Sequence, residues 1–255
     1  MPTYLSPAPP RVLAHRGLAL TAVENTELAF RDAIAAGAKW IETDAHVTAD
    51  GVAVLWHDPD LRRFDGTRDT IASLPWPDLR SRMVKGARLL TVGEALAMFP
   101  EARFNIDVKV EPALKPVVQA VLEAQAIDRV LLASFSDARR RRASAAIPGI
   151  ATSPGMAAIA RCALATYGSR RKRQDRWRAA LAGAVAVQVP PRYFGIPIVT
   201  RAFVASAHES GVEVHVWTIN DPVEMRAMLA LGVDGIVTDR ADIACELIRL
   251  STPES

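Results

Sequence analysis

Residues 40–47 read Trp-Ile-Glu-Thr-Asp-Ala-His-Val, and their polarity alternates with a period of two. Glu42 and Asp44 alternate with Ile41 and Thr43, so an extended chain puts both acids on one face. The same alternation returns at 103–109, where Asn105, Asp107 and Lys109 alternate with Phe104, Ile106 and Val108. Gln188 sits between Val187 and Val189, and His215 and Trp217 alternate with Val214 and Val216. Parallel strands covered by helices are expected to be apolar on both faces. A polar stripe on one face of several such strands therefore points inward, into the lumen of a closed barrel.

Outward from this segment, apolar runs of strand length alternate with segments of helical period. The strands expected are 12–16, 40–47, 103–109, 130–134, 149–153, 185–189, 212–218 and 235–239. Helical patterns cover 26–36, 92–99, 113–124, 201–209, 223–231 and 242–250, and Gly37, Gly211 and Gly232 stand where helix C-caps are expected. Eight strands alternating with helices predict an α/β fold, a single (β/α)8 TIM barrel. No G-x-G-x-x-G follows the first strand, as an open dinucleotide-binding sheet would require. An extra strand at 52–57 and a longer stretch at 59–89 form an insertion after the second strand; 156–182 is helical with an interruption near Gly168. The 255 residues suit one such domain, with residues 1–10 read as a disordered, proline-rich lead-in and 11–250 as the barrel.

The composition is half apolar and 23% charged, that of a globular protein, and no run of about 18 apolar residues is available to span a bilayer. The N-terminus lacks the basic and apolar regions of a secretory signal, which predicts a cytoplasmic location. Cys162 and Cys245 lie in apolar helical patterns and are expected as free thiols. The net charge is only +3, but basic residues cluster at 139–142 and 170–173. Such runs read as solvated faces, or as points of peripheral contact with an anionic membrane. Aromatics are not interleaved with them, which argues against nucleic acid as a partner.

The inward polar residues fall late in their strands, near the C-terminal mouth where barrel enzymes keep their sites. Glu42, Asp44 and Asp107 either pair with Arg16 and Lys109 or hold a hard divalent cation through oxygen ligands. His15 ends the first strand and His57 ends the inserted one, on the side of the acids. Two histidines there suit general acid–base catalysis. Arg16 offers a fork suited to phosphate and Lys109 a second cation, while Gly17 leaves room for a ligand near the backbone. Acids, imidazoles and cations together fit phosphoryl chemistry.

In these residues the chain resembles the glycerophosphodiester phosphodiesterase family, from His15 to about Asp242. The motifs are His15-Arg16-Gly17, Glu24-Asn25-Thr26, Glu42-x-Asp44, Thr48-x-Asp50-Gly51 and His57-Asp58; then Asp107-x-Lys109, Ser134-Phe135, Trp217-Thr218-x-Asn220, and Gly232 through Asp239. The resemblance implies a barrel binding one divalent cation, Mg2+ or Ca2+, at Glu42, Asp44 and Asp107. It implies acid–base roles for His15 and His57, and phosphate contacts from Arg16 and Lys109. The expected substrate is a small-molecule phosphodiester, a glycerophosphodiester cleaved to glycerol 3-phosphate and an alcohol. Asp107 stands where the family has glutamate, one methylene longer, so a cation reaches it directly at greater depth or through water. Trp217 stacks on the alcohol part or packs the barrel, and Gln188 is a candidate for the same pocket. Competing expectations are a lysophospholipase D activity at the same site, a Schiff-base lysine at Lys109, and a non-catalytic headgroup-binding protein.

Overall fold

Valine, isoleucine and alternating polar residues fold into eleven strands in a computed structural model that describes residues 3–82 and 88–251. They are β1 Arg11–His15, β2 Trp40–Val47, β3 Ala53–Leu55, β4 Arg103–Val108, β5 Val130–Ala133, β6 Ala151–Thr152, β7 Ala186–Val189, β8 Arg192–Tyr193, β9 Ile196–Pro197, β10 Glu213–Val216 and β11 Gly235–Thr238. The helices are α1 Glu27–Ala35, α2 Arg62–Asp65, α3 Trp76–Ser81, α4 Val92–Met98, α5 Leu114–Glu123, α6 Asp137–Ala146, α7 Met156–Ala165, α8 Arg170–Leu181, α9 Arg201–Glu209, α10 Pro222–Leu231 and α11 Ala241–Ser251.

Eight parallel strands run in the order β6-β5-β4-β2-β1-β11-β10-β7. Val185 N donates to Thr152 O at 2.9 Å across the remaining seam, so the sheet curls into a nearly closed barrel. All eight expected barrel strands form: β2 has the expected bounds, β1 is shifted by one residue, β4, β5, β7 and β11 are one residue shorter than expected, and β6 and β10 are three residues shorter. β3 pairs antiparallel with the end of β2 and is the inserted strand. Of the insertion at 59–89, residues 83–87 lie outside the described residues. The break near Gly168 separates α7 from α8. Both cysteines are free thiols, Cys162 buried and Cys245 partly so. Among the described residues no helix is long and apolar enough to cross a membrane.

The alternation read from sequence sorts the core into two layers. Outward side chains such as Ile41, Phe104 and Ile106 pack with Phe30, Leu96, Phe99 and Val121 on the helices. Inward ones at the N-terminal end, Leu13, Trp40, Leu131 and Val237, fill the lumen floor. Burying that apolar surface is the main stabilising term. Caps fix the helix starts: Thr91 accepts from Glu94 N at 3.0 Å while Glu94 returns the bond to Thr91 N at 2.9 Å.

Residues 3–10 depart from the disordered lead-in expected. Tyr4 is fully buried against the lumen floor, and its carbonyl accepts from Trp40 Nε1 at 3.1 Å. The buried Arg11 guanidinium donates to the carbonyls of Leu5 and Pro7 and pairs with Glu213 through Nε at 2.8 Å. Proline richness makes the segment read as loose, but a barrel floor lined with large apolar side chains needs a cover. Arg11→Ala leaves Glu213 without its cation and two carbonyls without a donor. It should cost about 3 kcal/mol in a denaturant titration; a loss under about 1 kcal/mol would make the lead-in a passive passenger.

Candidate active site

Register puts the polar residues at matched heights. His15 lies opposite Glu42, Glu42 opposite Asn105, and Asp44 opposite Asp107 on adjacent strands. At the C-terminal mouth these side chains open into one cavity. All nine residues singled out from the sequence line it: His15, Arg16, Glu42, Asp44, His57, Asp107, Lys109, Gln188 and Trp217.

Each histidine of the pair is held by a carboxylate. His15 Nδ1 lies 2.6 Å from Asp239 Oδ1, and Asn220 Nδ2 donates to Asp239 Oδ2 at 2.7 Å. Asn220 is locked in turn, because its Oδ1 accepts from Asp239 N at 2.8 Å and Thr238 Oγ1 at 3.0 Å. Burial pulls the His15 pKa down, but the bond to Asp239 and the nearby Glu42 charge outweigh it, and the net shift is upward. His57 Nδ1 lies 2.7 Å from Asp58 Oδ1, and Arg63 Nε is 2.8 Å from Asp58 Oδ2. Behind it, His46 Nε2 lies 3.0 Å from the His57 carbonyl; a carbonyl only accepts, so that nitrogen carries the proton. Burial lowers the His46 pKa and keeps it neutral for this task.

Arg16 takes a left-handed backbone (φ +55°) that turns its side chain over the acids. Its Nη1 donates to Glu24 Oε1 at 2.9 Å, and its Nε lies 3.1 Å from Asp44 Oδ2. Asn25, also at positive φ, accepts from Thr43 Oγ1 at 2.6 Å and donates to Asp44 Oδ2 at 3.3 Å. Gly17 serves packing and not ligand approach: a Cβ there would lie 2.7 Å from the backbone carbonyl of Ala29 in α1.

Lys109 Nζ sits between Asp44 Oδ1 at 2.6 Å and Asp107 Oδ2 at 2.7 Å. Burial opposes its charge, but the two carboxylates win and raise its pKa. A Schiff-base lysine needs the opposite shift, so that role is disfavoured. Pairing with Arg16 and Lys109 thus accounts for Asp44 and Asp107, whereas Glu42 has no lysine or arginine partner among the described residues and only the His15 imidazole beside it, Nε2 at 3.9 Å from Oε2. Burial first, and the Asp44 charge second, push its pKa up to about 8 against His15 and Lys109. As the side chains stand, no three His, Cys, Asp or Glu groups among the described residues converge as metal ligands. Among the described residues, five polar atoms of the cavity lining lack a hydrogen-bond partner: Arg16 Nε, Glu42 Oε2, Asp107 Oδ1, Asn105 Oδ1 and Gln188 Nε2.

The opposite wall is apolar. Phe135, Pro154, Met156, Ile159 and Trp217 line it, with the Phe135 and Trp217 rings edge-to-face at 6.3 Å. Trp217 also packs against the lumen floor cluster, so it faces the cavity and fills the barrel at once. The arginine run at 139–142 is only partly solvated. Arg139 donates to Val108 O and Ser134 Oγ, both at 2.8 Å, and props the end of β4 below Lys109, while Arg140 is buried.

Sequence reasoning assigned no role to Asp239, Asn220, Asp58, Asn105 or Phe135. Asp58, Phe135, Asn220 and Asp239 stood inside quoted motifs and Asn105 on the inward face of its strand, so the signal was present and the partner was not.

Imidazoles on carboxylate tethers, beside buried acids and two cations at the C-terminal mouth, are the equipment of a barrel hydrolase acting on phosphate esters. The chain belongs to one family of that class: the sequence model of the glycerophosphoryl diester phosphodiesterase family matches residues 15–243, which makes it a phosphoric diester hydrolase. It is 36% identical over 239 residues to a probable glycerophosphodiester phosphodiesterase 2 of Mycobacterium tuberculosis, covering 92% of this chain and 89% of that one. It is 28% identical to a glycerophosphodiester phosphodiesterase of Caldanaerobacter subterraneus over 93% and 97% of the two chains. In fold it matches an Oleispira antarctica phosphodiesterase solved with its product sn-glycerol-3-phosphate, at 23% identity and a TM-score of 0.78 over 94% and 97%.

Proposed function

We propose that the protein hydrolyses glycerophosphodiesters to glycerol 3-phosphate and an alcohol, with His15 and His57 as the general acid–base pair. The observation that carries this is the shared tether: both rings commit Nδ1 to a carboxylate and leave Nε2 for proton transfer into the cavity. One imidazole takes the proton of the attacking oxygen as it bonds to phosphorus, and the other delivers a proton to the departing alcohol oxygen as its P–O bond breaks; the attacking oxygen is that of water, or of the substrate's own glycerol hydroxyl, giving a cyclic phosphate that water then opens. Asp239 and Asp58 orient the rings, and Asp239 also favours the protonated form of His15. Arg16 and Lys109 offset charge on the phosphate oxygens. The product bound to the Oleispira antarctica enzyme has the chemistry expected of this cavity.

The donor set fits one hard divalent cation, Mg2+ or Ca2+, at Glu42, Asp44 and Asp107. The unpartnered atoms among these are carboxylate oxygens, and an uncompensated buried carboxyl is what such an ion satisfies. Binding would require Lys109 to release at least one of its two carboxylates. When bound, such an ion supplies positive charge to phosphate and to the attacking oxygen. Lysophospholipids are a second substrate class, favoured by the apolar wall of Phe135, Met156, Ile159 and Trp217.

Purified protein assayed on several glycerophosphodiesters and lysophospholipids, with EDTA and with added Mg2+ or Ca2+, tests the proposal. Chelator-sensitive release of glycerol 3-phosphate is expected. Turnover indifferent to EDTA would remove the cation, and no turnover on any of them would remove the reaction.

A further inference from the structure

The loop after β7 carries a feature the chemistry does not use. β8 and β9 pair antiparallel, Tyr193 opposite Ile196, around a two-residue turn of Phe194 and Gly195. Both turn residues have positive φ, +47° and +79°, the type I′ geometry that favours asparagine or glycine at each position. A phenylalanine there is held in a conformation that bulky side chains avoid. It is also 89% exposed, beside Tyr193 at 50% and Ile196 at 66%. The two rings contact each other at 4.6 Å and find no core. Neither turn stereochemistry nor packing explains Phe194, so its contact lies outside the chain.

Topology places this hairpin on the rim of the cavity. The catalytic groups come from β1, β2 and β4 with the inserted strand, and the apolar wall from the ends of β5, β6 and β10. β7 pairs with β10 and meets β6 at the barrel seam, so its loop rises from the apolar sector. Residues 190–203 contain Arg192 and Arg201 and no acid. Asp221 on the next rim loop is committed to capping α10 through Val223 N at 2.6 Å. The arginine run at 139–142 is a weaker candidate for surface contact, since Arg139 and Arg140 are engaged internally.

We infer that the hairpin 192–197 is an interfacial anchor that seats the mouth of the barrel on a bilayer carrying anionic phospholipid. Tyr193, Phe194 and Ile196 enter the interface, and Arg192 and Arg201 meet the headgroups. The orientation rests on the active site proposed above; the binding does not.

The test is co-sedimentation with vesicles of mixed phosphatidylcholine and phosphatidylglycerol, read without turnover. Wild-type protein should pellet with them. Phe194→Asn combined with Tyr193→Ser and Ile196→Ser should reduce vesicle affinity by about tenfold or more. Because asparagine suits the turn, the variant should keep its melting temperature, and its turnover of a water-soluble glycerophosphodiester should stay at the wild-type level. Wild-type protein that remains in the supernatant would overturn the inference, as would a triple variant that binds equally well. A wild-type dimer in size-exclusion chromatography that the triple variant dissolves would overturn it too, by assigning the patch to a second copy of the chain.

Discussion

Replacing His15 or His57 with alanine should lower turnover by at least about a hundredfold while the fold persists. Both residues stand at strand ends with partly exposed side chains, so neither substitution opens a large void in the core. What each removes is a ring whose orientation is set by a neighbouring carboxylate. Losses below about tenfold for both variants would take the pair out of the reaction. Circular dichroism and thermal unfolding separate lost chemistry from lost fold.

The tether of His15 makes a sharper version of the same test. Burial depresses the His15 pKa, and the Asp239 hydrogen bond with the Glu42 charge more than reverses it. Asp239→Asn keeps the shape but removes a negative charge that favours the imidazolium. The His15 pKa must then fall, and whichever limb of the kcat/KM–pH profile His15 controls should move to lower pH. A merely structural Asp239 would reduce activity without moving that limb, so an unmoved profile assigns it to packing.

The frame of this site was legible because strand periodicity is local. Glu42, Asp44, Asp107 and Lys109 could be placed on inward faces from their spacing alone, and the registers of β2 and β4 put Asp44 beside Asp107. Residues that act through distant partners were not legible. Asp239 lies 224 positions from His15, and nothing in its own neighbourhood marks it as the ring's acceptor. Gly17 read as room for a ligand, because spacing does not reveal which backbone approaches it; the approach is made by α1. Tyr4 read as part of a loose lead-in because its burial depends on the floor of the finished barrel. The hairpin at 192–197 escaped for a different reason: its turn carries a phenylalanine where the usual signal is asparagine or glycine.

Glu42→Ala should abolish chelator-sensitive activity and the binding of Mg2+ or Ca2+ measured by calorimetry. Of the three acids at the proposed cation site, Glu42 alone lacks a lysine or arginine within ion-pair distance among the described residues, and its Oε2 has no hydrogen-bond partner. Its pKa, raised from 4.5 to about 8 by burial and by Asp44, means that the ion-free protein holds a proton there near neutrality. The folded state therefore binds more protons than the unfolded chain between those two values. Without an ion, stability should fall as pH rises across that window, and alanine should flatten the fall. An ion that takes the place of that proton must expel it, so wild-type protein should release protons on binding at neutral pH and less above about pH 8. Glu42→Gln separates charge from volume: it fills the same space, titrates nothing, and should lose ion affinity as alanine does. Ion affinity unchanged in both variants would remove Glu42 from the ligand set.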